Sequence, residues 1–430
     1  MGFLFTLDGV SQIYIHLVFG IAVFHTIKTY NKHNEALLWS MYIVSFEVLM
    51  HMSGGLLFHA SVKYMVMLLL GMGLFMDDRK PLPVVFVLYL LLMSIGIAFT
   101  EVPAGEYIRK AIAFNLSGPF TLGIAAIYCY NRSIDKNTLK QLLWIGSLPL
   151  IALLGYLYFK TPNLEEIGFN TEANFDTSGG YGPNQVSTIL GFGMFLIVAM
   201  ILLKKRVSGF LLIDILLLTY MTFRGFLTFS RGGVITGILA IIAVSIFSLL
   251  HSKQSIFNVL KFAVVVLTIG IGVLLYASNA TDGLLINRYM NKTAKGEQSK
   301  DFSTGRLKII GKDLELFYEN PFFGVGVGSG KYLRAKKEGE VAASHNEMTR
   351  MLSEHGMIGL LALLLLLIVP LFNFFDNSTQ FKGYVIAFYV FWFLTINHSA
   401  MRLAFPGFIY GLSLLKIYNS INENNSLHRE

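Results

Sequence analysis

The stretch LLALLLLLIV (Leu360–Val369) decides the fold class, because it leaves no polar face for a soluble helix or strand. Similar blocks of about 20 residues recur along the 430-residue chain, which is 54% hydrophobic and 14% charged. A helix of that length crosses about 30 Å of hydrocarbon with every backbone group hydrogen-bonded internally. The sequence therefore predicts an all-α, polytopic integral membrane protein.

Hydropathy predicts where the spans lie and how the chain is organised. The last apolar segment is interrupted by NHSAMRLAFP (Asn397–Pro406) and reads as one broken helix or two short ones, so we expect 12 or 13 spans. The predicted spans are 11–28, 36–52, 55–76, 83–100, 111–130, 141–159, 184–203, 208–226, 232–250, 256–277, 356–374 and 383–418. They give amino-terminal helices (1–159), a first outer loop (160–183), central helices (184–277), a long outer loop (278–355), and carboxy-terminal helices with a short tail (356–430).

The distribution of basic residues predicts the orientation in the membrane. Lysine and arginine are denser in the short loops on one side, which should be cytoplasmic: Lys28, Lys32, Asp77–Lys80, Asn131–Lys140, Lys204–Arg206, Lys253 and Lys382. Both long loops then face outward, toward the periplasm if the membrane is a bacterial inner membrane. The same bias explains the formal net charge of +8, so no nucleic-acid partner is expected. The single cysteine, Cys129, allows no intramolecular disulfide and suits packing.

Two arginines stand on the predicted outer side in MTFRGFLTFSRGGVITG (Met221–Gly237), against the usual charge bias. An arginine within a span costs about 2.5–3.5 kcal/mol on insertion scales and usually faces a polar cavity. Arg224 can equally reach the interface with its long side chain and have no specific role. Arg231 is the stronger candidate, because two following glycines would let backbone approach a ligand.

The long loop contains a predicted helix after Ser303 or Thr304, either of which can cap it. Arg306 then lies in the first turn, at the edge of the apolar face. Further on, glycine occupies every second position from Gly324 to Gly330, and Lys331 follows. A phosphate loop would need glycine in place of Val325 and serine or threonine in place of Tyr332, so this pattern is not met. An ordinary loop is favoured, and backbone N–H groups facing an anion remain an alternative.

The segment SHNEMTRMLSEHGMIG (Ser344–Gly359) leads directly into the apolar stretch. Ser344 and Glu347 have the spacing of a capping box, which places His345 at the first helical position. The positive end of a helix lowers the pKa of an imidazole and favours its neutral form, which a general base requires. A surface histidine without a role is the competing interpretation, and His355 is interpreted as structural.

Metal chemistry has little support in the sequence. The outer side has no HExxH motif, no cysteine pair and no Asp-x-Asp, while Asp77 and Asp78 fall on the predicted cytoplasmic side. We therefore expect no metal and no cofactor. Basic residues with one neutral histidine suit an anionic donor and a hydroxyl acceptor.

The order of these motifs resembles the bacterial O-antigen ligase and polymerase family of membrane glycosyltransferases. FSRGG, STGRLKI, NPFFGVGVGSGKY and SHNEMTRMLSEHGMIGL follow one another before a membrane helix, and GGYGPNQVS (Gly179–Ser187) resembles a further recurrent element. The resemblance covers roughly Gly179 to Leu360.

The resemblance implies transfer of glycan from undecaprenyl pyrophosphate to an acceptor hydroxyl at the periplasmic face, with inversion and without a metal. Arg231 and Arg306 would bind the pyrophosphate, and His345 would take the acceptor proton. Weaker candidates for substrate binding are Arg224, Tyr181, Asn184, Gln185 and Arg402. The acceptor is either a second carrier-linked glycan, for a polymerase, or the lipid A core, for a ligase; we slightly favour a polymerase, since genomes often carry several polysaccharide clusters. Membrane lipids and other polysaccharide-assembly proteins are the expected further partners.

Two other functions remain open from the sequence. A transporter or flippase of polyprenol-linked oligosaccharide would also need arginines for pyrophosphate, but it predicts internal repeats and charges near the bilayer midplane. A membrane scaffold that binds a partner through the long loop has no specific sequence feature in its favour.

Overall fold

The fold is taken from a computed structural model, which describes residues 1–76, 82–251, 255–298, 305–338 and 344–419. The predicted basic loop 77–80, Lys253 and the capping residues Ser303 and Thr304 lie outside the described residues.

The described chain forms sixteen α-helices and one two-stranded sheet, which confirms the predicted all-α membrane fold. The helices are α1 (Val10–Thr29), α2 (Glu35–Met52), α3 (Ser61–Phe75), α4 (Val84–Ile95), α5 (Ile108–Cys129), α6 (Lys136–Lys160), α7 (Pro183–Leu202), α8 (Leu211–Leu227), α9 (Arg231–His251), α10 (Ser255–Asn279), α11 (Leu284–Tyr289), α12 (Arg306–Glu319), α13 (Gly330–Glu338), α14 (Glu347–Asp376), α15 (Thr379–His398) and α16 (Phe405–Leu412). The strands β1 (Ser133–Asp135) and β2 (Lys416–Tyr418) pair in parallel.

Every predicted span contains a helix, although the described helices are not all long enough to cross a bilayer. Six are long and apolar enough by length and composition: α1, α5, α6, α7, α9 and α14. The last predicted span is two helices, α15 and α16, because the chain leaves helical geometry between Ser399 and Ala404. The long outer loop contains three helices of its own, α11, α12 and α13.

Glycines allow the central helices α7, α9 and α15 to approach closely. A Cβ on Gly191 of α7 would lie 2.3 Å from the carbonyl oxygen of Gly233 on α9, and one on Gly237 would lie 2.6 Å from the Gly191 oxygen. Small residues at such crossings let helix backbones pack against each other in a membrane protein. The glycines that follow Arg231 therefore serve helix packing, and the prediction that they admit a ligand was wrong: Gly232 faces the ring of His398, and Gly233 faces Ser187.

Contacts between loops define the two ends of the bundle. At one end, Asn184 bonds Ser230, Thr188 bonds His398, and Asn346 bonds Asn397. These contacts bring together both predicted outer loops, the Arg231 turn and the α15–α16 connection. At the opposite end, Arg132 donates to Asn34 (3.0 Å), close to the strand pair.

Candidate functional site

Arg231 is held in place by the start of α7. The Ser230 hydroxyl donates to Asn184 Oδ1 (2.8 Å), and the Ser187 hydroxyl donates to the Ser230 carbonyl (2.9 Å). Arg231 Nη1 donates to the carbonyl of Arg288 (3.2 Å), and Arg288 Nε donates to the Phe229 carbonyl (3.2 Å). The start of α7, the α8–α9 turn and α11 are thereby joined around two guanidiniums.

Arg306 lies in the first turn of α12, as the sequence predicts. It is the first residue of the helix, and Gly305 precedes it in the left-handed region (φ +81°). The buried Asp313 docks α12 against the chain before α14, since its carboxylate accepts from Ser344 Oγ (2.9 Å) and Thr349 Oγ1 (3.0 Å) and pairs with Arg334. Arg306 lines a cleft with Ile309, Ile310 and the segment Ser344–Asn346.

His345 lies before α14 and not at its first position, so the predicted capping box was wrong. The cap is Asn346, whose side-chain oxygen accepts from the backbone N–H of Thr349 (3.1 Å). Ser344 is not free to cap, because its hydroxyl bonds Asp313, and Glu347 pairs with Arg350. The helix itself begins at Glu347.

The charges around His345 favour its neutral form. Burial, with the guanidiniums of Arg402 and Arg306 and the ring of His398, lowers the pKa of His345 to about 4. The imidazole is partly buried and lines the same cleft as Arg306. The neutral form of His345 that the sequence predicts is therefore favoured. The pKa is lowered by burial and by neighbouring charges, whereas the predicted cause was the positive end of a helix.

Four arginines from separate parts of the chain converge near this histidine. Burial and the neighbouring Arg231 and Arg306 lower the pKa of Arg288, and burial with Arg231 and Arg402 lowers that of Arg306. Arg402 lies in the break between α15 and α16, near Tyr181 and Glu347. Their mutual repulsion makes this end of the bundle a place where an anion is strongly favoured.

Pairing separates three of these four arginines from others nearby. Within the described residues, neither Arg306 nor Arg402 forms an ion pair or a side-chain hydrogen bond, and Arg288 bonds only a carbonyl. In contrast, Arg350 pairs with both Glu347 and Glu354 inside the protein. The structure buries all three of these charges.

The weaker candidates fall into two groups. Tyr181 stacks on His51 (ring centroids 4.9 Å apart) close to Arg402, and Gln185 lines a small cavity with Ser399 and Ala400, so both border the Arg402 connection. Arg224 is buried and donates to the carbonyls of Leu157 (3.2 Å) and Thr177 (3.1 Å) and to the Thr161 hydroxyl. These bonds favour a structural role for Arg224.

The glycine-rich turn before α13 is a packed connector. The N–H groups of Val325, Gly326 and Val327 donate to Ser353, Glu354 and Gly96 carbonyls at 2.9, 3.1 and 3.2 Å. Because these donors are bonded within the protein, the anion-binding alternative loses its support.

Two relevant residues were missed by sequence reasoning. Arg288 is one arginine in a long loop with no motif around it, and Glu47 is one carboxylate in an apolar helix. An intramembrane carboxylate is itself a signal for a site, so Glu47 was detectable. Among the described residues, no cluster of His, Cys, Asp and Glu has the form of a metal site.

Comparison with known families gives a match to the O-antigen ligase model over residues 216–364. The match includes Arg224, Arg231, Arg288, Arg306 and His345. It confirms the resemblance to the O-antigen ligase and polymerase family. The domain indicates O-antigen-ligase-type glycosyl transfer in surface polysaccharide assembly. No curated protein matches the sequence.

Proposed function

We propose that this protein transfers glycan from undecaprenyl pyrophosphate to an acceptor hydroxyl at the periplasmic face of a bacterial inner membrane. One observation carries the proposal: a neutral histidine, His345, shares a cleft with Arg306, which has no carboxylate partner among the described residues. The O-antigen ligase match supports the reaction class.

The arginines bind the leaving group. In this proposal Arg231, Arg288, Arg306 and Arg402 bind a pyrophosphate, because guanidinium groups bind phosphate oxygens in pairs. As the bond between the sugar and the pyrophosphate breaks, the electron pair stays on the phosphate oxygen, and these fixed charges stabilise it. Four guanidiniums supply the charge that a divalent cation supplies elsewhere, so the proposed reaction needs no metal.

His345 accepts the proton of the attacking hydroxyl. The acceptor oxygen then bonds to the anomeric carbon from the side opposite the pyrophosphate, which inverts the configuration. A base with a pKa of about 4 is weak in the free protein. A bound pyrophosphate offsets Arg306 and Arg402, so it raises the pKa of His345 and strengthens the base when the donor is present.

We favour the polymerase, in which the acceptor is another carrier-linked glycan, over the ligase. The deciding experiment examines a deletion strain that carries either the wild-type gene or His345→Ala. Surface glycolipid is run on a gel, and carrier-linked glycan is analysed beside it. A core bearing a single repeat unit in the mutant indicates a polymerase. Bare core with long carrier-linked glycan indicates a ligase, and wild-type glycolipid in the mutant contradicts the role of His345.

A further inference from the structure

A carboxylate from a distant part of the chain is bonded to the connection that carries Arg402. Glu47 lies on α2 and is 1% exposed. Its Oε1 and Oε2 accept from the backbone N–H of Ala404 at 3.0 and 2.8 Å. Ala404 is the residue before α16 and lies two positions after Arg402.

We propose that Glu47 is a positioning residue, which holds the Ser399–Ala404 connection so that Arg402 faces His345 and the donor pyrophosphate. The part concerning the donor rests on the proposed function. The placement of Arg402 rests on the structure alone, because Arg402 lines one cavity with Ser344, the residue next to His345.

The connection is restrained from other sides as well. The N–H of Met401 lies 3.4 Å from Glu347 Oε2, as a second hydrogen bond to a buried carboxylate. A Cβ on Gly118 of α5 would lie 2.5 Å from the Met401 carbonyl oxygen, so α5 packs directly on the connection. Ala400 adopts a positive φ of 53°, which a residue with a side chain keeps only when its surroundings hold it there.

Burying a carboxyl group is costly, and the nearby amine of Lys63 on α3 offsets part of that cost. Lys63 is 2% exposed, lies close enough to Glu47 to couple with it electrostatically, and donates to Ser117 Oγ on α5 (3.1 Å). Three helices therefore contribute to a polar anchor for one backbone N–H. If Glu47 and Lys63 served packing alone, apolar residues would suffice at both positions.

The anchor affects chemistry because Arg402 acts on His345. The charged or titratable groups that face His345 are Arg402, Arg306 and His398, and among them Arg402 has the largest effect on the imidazole. If the connection is released, Arg402 moves away and His345 takes a proton more readily. A role confined to stability would leave the titration of His345 unchanged.

The test removes the anchor without leaving a buried charge unpaired. The double variant Glu47→Leu, Lys63→Met replaces both buried ionisable groups with apolar side chains, a change that proteins often tolerate. Glu47→Gln is the milder variant, since it keeps the shape and one acceptor oxygen. Glu35→Gln is the control, because Glu35 is also buried on α2 but bonds the His33 N–H (3.0 Å) at the other end of that helix.

Two quantities are measured on purified protein. The first is kcat/KM for carrier-linked glycan, extracted from the deletion strain, as a function of pH. The second is the pKa of His345 from histidine-labelled NMR, assigned with His345→Ala. The double variant should lose about tenfold in kcat/KM at neutral pH, and both the acid limb and the NMR pKa should rise by at least about one unit toward 6.5. Glu47→Gln should change kcat/KM and the pKa of His345 in the same directions by smaller amounts. Glu35→Gln should have the wild-type values of both.

Two results would overturn the inference: an unchanged rate, or a lower rate with an unmoved His345 pKa, which would make Glu47 structural only. A wild-type protein without transferase activity would overturn the proposed function instead. The NMR titration would still judge the positioning of Arg402 in that case, because it needs no substrate.

Discussion

Ser230 and Asn184 join the two outer segments that flank the site: the Ser230 hydroxyl donates to Asn184 Oδ1 at 2.8 Å, one residue before Arg231. Asn184 opens α7 directly after the first outer loop, and Ser230 ends the α8–α9 turn. This single bond explains how GGYGPNQVS contributes to a site whose charges lie elsewhere. Asn184 orients the segment that presents Arg231.

His345→Ala should reduce glycan transfer by about 10²–10⁴-fold, because a positioned general base contributes that much. The side chain is only partly buried and forms no hydrogen bond among the described residues, so the amount of protein in the membrane should not change. Transfer is measured with purified protein and carrier-linked glycan. His16→Ala on exposed α1 is the control, and full activity in a normally expressed His345→Ala protein would exclude the general base.

Arg306→Lys should lower kcat/KM for the donor at least about tenfold, since an ammonium cannot reproduce a two-point grip on phosphate oxygens. The charge is retained, so the loss would report geometry. Lys308→Arg, two residues along the same helix and exposed, is the matched control. Near-normal kinetics for Arg306→Lys would show that Arg306 lies at the membrane interface without a two-point contact to the donor.

The pH profile should distinguish the free protein from the donor complex. Protonation removes the base, so kcat/KM should be level at neutral pH and fall as pH drops through about 4, the pKa of His345 in the free protein. The acid limb of kcat should lie at higher pH, because bound pyrophosphate raises that pKa. If the acid limbs of the kcat and kcat/KM profiles fell at the same pH, this would contradict contact between the pyrophosphate and the arginines around His345.

Gly326→Ala should sharply lower the amount of folded protein in the membrane. A Cβ there would lie 2.1 Å from the Phe99 carbonyl oxygen, and the φ of +86° is strained for alanine. Gly311→Ala is the control, because a Cβ at that helical position meets nothing within 4 Å. Thermal unfolding in detergent measures both variants, and a stable, active Gly326→Ala protein would refute the close packing of this turn against Phe99.

Arg224→Gln should destabilise the protein while leaving the KM for the donor near its wild-type value. A buried acceptor left without a donor costs about 1–3 kcal/mol, and Arg224 donates to the Thr177 carbonyl and is one of two donors to the Leu157 carbonyl. The measurements are thermal unfolding and donor kinetics of the surviving folded protein. A large rise in the KM for the donor with unchanged stability would indicate that Arg224 binds the donor.

The sequence determined the membrane fold because apolar length is a local property. In hydrocarbon, backbone hydrogen bonds must form within each segment. Apolar blocks such as Leu360–Val369 therefore predict helices whatever other segments pack against them. Arg231, Arg306 and His345 could also be proposed from the sequence, because each carries a local signal: a charge on the unexpected side, a first-turn arginine, a polar segment before a span. What a local signal could not tell was which partner each group would choose.

Tertiary structure decided those partners. Ser344 and Glu347 have the spacing of a capping box, yet Asp313 and Arg350 engage them, and Asn346 caps α14 instead. Arg224 and Arg231 look alike in sequence, but only Arg224 is surrounded by carbonyls of α6 and the first outer loop. Glu47 lies 357 residues from the N–H group it binds, and only the packing of α2 against α16 brings the two together. Hydrogen bonds and charges act over a few ångströms, so their pairing follows from distances that the order of residues does not contain.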